Sequence, residues 1–149
     1  MRFFCVFLFY IITNFQSVFA QNNIEITDAW ISEAPPTVNI LAGYFTIVNH
    51  SDQPLDLTAA QSPLFERIEF HLTKTEDGMA RMQEAAVITI PAQSEFRFSP
   101  GEYHLMLFNP VKTLKSGDLV PLQLTFSKDI SIGVEAKVKR GEHSGQHNH

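Results

Sequence analysis

Arg67-Ile68-Glu69-Phe70-His71-Leu72-Thr73, followed shortly by Asp77-Gly78, decides how this chain folds. Apolar and polar side chains alternate through the run. Ile68, Phe70 and Leu72 therefore take one face of a strand, and Arg67, Glu69, His71 and Thr73 take the other. Asp77-Gly78 suits a two-residue type I′ turn, which needs positive φ at both central positions. With that pair as the loop, Glu76 pairs with Met79 and every paired sum is 155, so Thr73 faces Met82 and His71 faces Glu84. His71 and Met82 become diagonal neighbours on one face, about 7–8 Å apart at Cα and within reach of a common atom. Met79 falls on the opposite face, where it is expected to pack. A bulge in Ala80–Ala86, where the alternation is irregular, would shift these faces.

Outward from this hairpin the same period recurs. Strands are predicted over Ile24–Ser32, Tyr44–Asn49, Leu55–Ala59, Arg67–Thr73, Met79–Ile90, Glu95–Phe98, Tyr103–Phe108, Leu119–Phe126 and Ile130–Lys139. Turn signals separate them at Asn49-His50-Ser51-Asp52, Ser99-Pro100-Gly101 and Ser116-Gly117-Asp118. Pro35-Pro36 predicts a stiff extended connection. No long stretch has helical periodicity, and no repeat or interdomain linker interrupts the chain. The expectation is a single all-β domain, an antiparallel Greek-key sandwich or barrel. Trp30 and the phenylalanines are expected in its core and at its ends, and His50 in a solvated turn.

Composition narrows the function. A net charge of −5 with no basic cluster argues against nucleic acid and anionic membrane surfaces as partners. Residues 1–20 read as a signal peptide, with Arg2 before an apolar run from Phe3 to Ile12 and Val18-Phe19-Ala20 at its end. That run is too short for a spanning helix. The expected mature domain is 21–140, exported and without a membrane span. Cys5, the one cysteine, lies in the signal segment, so any metal site must use His, Met or carboxylates. A tail at 141–149 has no apolar residue, is expected to be disordered, and carries His143, His147 and His149, candidate metal ligands whose imidazoles suit Cu(II), Zn and Ni alike.

In Tyr103-His104-Leu105-Met106-Leu107-Phe108, period two sends His104 and Met106 to one face. With the hairpin they make a set of His71, ten residues, Met82, twenty-one residues, His104, one residue, Met106. Thioether sulfur is soft and neutral, a poor partner for Zn, Mg or Ca and a good one for Cu(I). Two imidazoles and two thioethers supply no charge, which suits the monovalent cuprous ion. Blue-copper electron transfer is disfavoured for want of a cysteine thiolate. Hydrolysis is disfavoured too, because neither His-Glu-x-x-His nor Gly-x-Ser-x-Gly occurs. The reading is a carrier, not an enzyme. The alternatives are a copper-buffering or resistance protein and a metal-independent β-sandwich interaction module.

The spacing of these four residues resembles that of the periplasmic PCu(A)C-type copper chaperones. The likeness extends through Asp28-Ala29-Trp30-Ile31, Ala34-Pro35-Pro36, Ala42-Gly43-Tyr44, Glu76-Asp77-Gly78 and Leu119-Val120-Pro121-Leu122. It implies a cupredoxin-like β-barrel that holds Cu(I) at His71, Met82, His104 and Met106. It further implies delivery to a recipient copper protein, such as a cytochrome c oxidase subunit or another assembly chaperone, in the periplasm of a Gram-negative bacterium. Thr73 stands where many members have a further methionine, and Ser32 where an arginine is common.

Overall fold

The computed structural model describes residues 23–140. The expected signal segment (1–20) and the tail with His143, His147 and His149 lie outside the described residues. Ten strands form: β1 (Ile24–Ser32), β2 (Ile40–Asn49), β3 (Leu55–Gln61), β4 (Phe65–Glu76), β5 (Met79–Glu84), β6 (Ile88–Ile90), β7 (Ser94–Arg97), β8 (Tyr103–Pro110), β9 (Leu119–Phe126) and β10 (Ile130–Lys139). No helix occurs among the described residues.

The strands run β5-β4-β8-β2-β1-β10-β9-β3-β6, with β7 also paired to β2. Every pairing is antiparallel except that of β1 with β10, which joins the two halves of the sheet. Period two turns one side chain in two inward. Leu41, Phe45 and Ile47 of β2, Leu105 and Leu107 of β8, and Val120, Leu122, Leu124 and Phe126 of β9 form much of the buried core. Gly43 on the inner face of β2 lets β8 approach. A Cβ there would lie 3.0 Å from Leu107 Cδ1 and 3.4 Å from Leu105 Cβ.

The hairpin has the register read from its turn. His71 pairs with Glu84, Thr73 with Met82 and Glu76 with Met79, with no bulge between. Asp77 and Gly78 have φ of 53° and 76°, both positive as a type I′ turn requires.

Four expectations are corrected. Met79–Ile90 is not one strand. The chain leaves β4 after Ala85 N–H donates to the Phe70 carbonyl at 2.9 Å, and β6 pairs with β3 at the far end of the sheet. Met79 does not pack and is 57% exposed, because β5 is an edge strand lying over no core. Pro35-Pro36 opens a turn, closed by a 2.9 Å bond from Val38 N–H to the Pro35 carbonyl. Trp30 also sits outside the buried core, lying against Tyr44 with ring centroids 4.5 Å apart and the rings tilted by 36°.

A Cβ at Gly78 would meet nothing within 4 Å, so a substitution there costs backbone conformation alone. Gly78→Val is expected to destabilise the β4–β5 hairpin locally by about 1–2 kcal/mol. Hydrogen exchange at Ala80–Gln83 should quicken while the global denaturation midpoint moves little. Unchanged exchange there would contradict the turn assignment.

Candidate metal centre

β4 lies between β5 and β8, so the hairpin and the His-x-Met strand are adjacent. The β4–β8 register sets His71 opposite His104 and Glu69 opposite Met106. Directly opposed residues share a face, and so do alternate residues along a strand. One outward face therefore carries Met82 from β5, Glu69, His71 and Thr73 from β4, and His104 and Met106 from β8. The inward neighbours Leu105 and Leu107 are fully buried, and that packing holds His104 and Met106 outward.

The four candidates differ in exposure. His104 is 6% exposed, Met106 is half-buried, and the His71 side chain is 14% exposed. Met82 is 64% exposed, on a strand whose six residues are all exposed. The two imidazole centroids stand 6.0 Å apart, with the rings tilted by 39°.

Each ring has one nitrogen committed. His104 Nδ1 donates to the Glu102 carbonyl at 3.0 Å, which leaves the lone pair on Nε2. His71 Nε2 donates to Glu69 Oε2 at 2.9 Å, which leaves the lone pair on Nδ1. His71 Nδ1 is buried without a hydrogen-bond partner, and no other buried side-chain N or O among the described residues is in that state. Such an atom costs about 1–3 kcal/mol if left unpaired, so it fits a site completed by a ligand.

Glu69 is itself anchored. Its Oε1 accepts a 2.8 Å bond from Arg67 Nε, and the Arg67 guanidinium lies 3.8 Å from the centroid of the Phe108 ring. The bond from Arg67, then that from His71, holds the Glu69 carboxyl below its ordinary value of 4.5. Sequence reading had placed Glu69 on the polar face without a role; only the observed bonds single it out. His50, 3.2 Å from Glu25 and exposed, belongs to a solvated turn and not to this site. Among the described residues no group of three or more His, Cys, Asp and Glu side chains is placed to hold a metal.

Residues 24–138 match the family described as "Putative lipoprotein LpqE-like". The chain belongs to this family, that of the PCu(A)C domains. The copper-bound PCuAC domain of PmoF2 superposes with a TM-score of 0.69 at 23% identity, covering 80% of this chain and 94% of that one. CuI-DR1885 from Deinococcus radiodurans is 32% identical, with a TM-score of 0.62 and 76% of each chain covered. "Putative lipoprotein Lxx21020" of Leifsonia xyli subsp. xyli is 27% identical over 79% of this chain and 70% of its own length. The fold is thus the cupredoxin-like one of the PCu(A)C domains.

Because the Glu69 value is lowered on folding, its contribution to stability is present in full above 4.5 and is lost as pH falls through the lowered value. Denaturant midpoints measured down the acid range should fall more steeply below pH 4.5 for the native chain than for Glu69→Gln. Parallel curves would show that the bonds to Arg67 and His71 do not stabilise the fold.

Proposed function

We propose that this protein is an exported copper carrier, not an enzyme, whose cargo is one Cu(I) ion held by His71, Met82, His104 and Met106. The observation that carries the reading is that the strand registers put these four residues on one face of β5–β4–β8, with a buried, unpartnered Nδ1 on His71. Two neutral imidazoles and two thioethers match the soft cuprous ion, and they leave a complex that carries a single positive charge. Membership of the PCu(A)C family supports copper as the metal, with CuI-DR1885 a relative that carries it. The lipoprotein-like relatives fit an exported protein, and periplasmic residence is part of the proposal.

Unequal exposure suits transfer. Met82, on the free edge of the sheet, is the ligand an incoming protein reaches first, while His71 and His104 keep the ion seated. Replacing a neutral thioether separates no formal ion pair, so the ion can pass by stepwise exchange. The proposed recipients are respiratory copper sites such as that of cytochrome c oxidase, or an assembly chaperone leading to them. The tail residues His143, His147 and His149 are proposed as a separate collector of Cu(II).

Residues 21–140 are expected to bind one tight Cu(I) equivalent in a competition titration. Met82→Ala should weaken binding less than His104→Ala together with Met106→Ala, which should abolish tight binding. Unchanged binding in the double variant would refute the ligand assignment. Cu(II) uptake by the full chain should exceed that of a chain ending at Arg140, and the excess should fade as pH drops through about 6.5, where protons compete for imidazole. Equal uptake by both chains would remove the tail from the proposal.

A further inference from the structure

We infer that Glu69 is a positioning residue that selects His71 Nδ1 as the copper-binding nitrogen, so that the two histidines bind the ion through different ring atoms. The inference rests on the copper reading above and deepens it. It starts from the two committed nitrogens, Nε2 on His71 and Nδ1 on His104.

A neutral imidazole carries one proton and one lone pair, and the hydrogen bond made by one nitrogen decides which atom keeps the lone pair. His104 is settled by its own backbone, because the Glu102 carbonyl two residues back accepts from Nδ1 at 3.0 Å. That leaves Nε2 to bind. His71 has no such backbone bond. Its Nε2 donates to the Glu69 carboxylate at 2.9 Å, and its buried Nδ1 has no partner. A carboxylate is the stronger acceptor of the two, and a charge-assisted bond holds the ring orientation as well as the tautomer.

The geometry of β4 makes this pairing natural. Glu69 and His71 are two residues apart on one strand, so their side chains leave the same face side by side. Glu69 is prevented from swinging away by Arg67, which donates to its other oxygen at 2.8 Å. Arg67 in turn lies against Phe108 of β8, its directly opposed residue and two positions beyond Met106. The chain Phe108–Arg67–Glu69–His71 thus ties the first histidine of the hairpin to the strand that carries the other histidine and a thioether. Without Glu69 the ring would divide its time between two tautomers and several orientations. Only one combination presents Nδ1 to the ion.

Loss of a comparable outer partner lowers metal affinity by about 10–100-fold. Glu69→Ala is expected to weaken Cu(I) binding by about that factor in a competition titration. Glu69→Gln should recover most of the loss, because its amide oxygen can accept the same N–H. The discriminating readout is long-range nitrogen–proton NMR of the imidazoles. In the metal-free native chain His71 should carry its proton on Nε2 and His104 on Nδ1, and Glu69→Ala should scramble His71 alone. On loading with Cu(I), Nδ1 of His71 should shift while Nε2 keeps its proton. A proton on Nδ1 of His71 in the native apo chain, copper at its Nε2, or native affinity in Glu69→Ala would each overturn the inference. Failure of the native chain to take up Cu(I) would instead sink the carrier reading. The apo tautomer comparison would then still decide whether Glu69 positions the ring.

Discussion

The antiparallel pairing of β4 with β8 is the contact on which the rest of the site depends. It sets His71 directly against His104 and Glu69 against Met106, and it joins two stretches more than thirty residues apart in the chain. That pairing is held from beneath. Phe70, Leu105 and Leu107 are buried on the inner face, and Gly43 lets β8 close onto β2. A one-residue slip of β4 would turn His71 and Glu69 inward together and expose Phe70, so the hydrophobic core enforces the register of the polar face. The candidate metal centre is therefore a consequence of the same packing that makes the sheet.

On the outer face the four side chains would have unequal tasks in the proposed site. The histidines sit low, each with one nitrogen tied to a neighbour, and Met82 stands high on an unpaired edge. A site of this kind is rigid at its floor and accessible at its rim. Rigid donors favour affinity through low reorganisation, and an exposed thioether gives a route for ligand exchange. In the proposed site, the absence of formal charge on any of the four donors would favour a monovalent soft ion over divalent hard ones.

Much of this was legible in the amino-acid order, and the boundary of legibility is physical. Strand existence followed from period two, and the hairpin register followed from Asp77-Gly78, because a tight turn fixes local pairing. The spacing of His71, Met82, His104 and Met106 identified the family. The adjacency of β4 and β8 was not readable from alternation, since any two antiparallel strands share that pattern. The break between β5 and β6 was missed because apolar residues continue through Ala85-Ala86-Val87, while the strand partner changes from β4 to β3. The exposure of Met79 was missed because alternation names a face without saying whether anything covers it. Least legible was Glu69. Its role lies in hydrogen bonds to Arg67 and His71 that depend on side-chain orientation, which strand periodicity does not encode.

The proposed site is neutral, built from two imidazole nitrogens and two thioether sulfurs across β5, β4 and β8. X-ray absorption on the chain ending at Arg140, loaded with one Cu(I) equivalent, reads that donor set. The expected result is a first shell of two nitrogen and two sulfur scatterers, with one sulfur lost in Met82→Ala and one in Met106→Ala. A shell of nitrogen and oxygen without sulfur, or one unchanged in both variants, would contradict it.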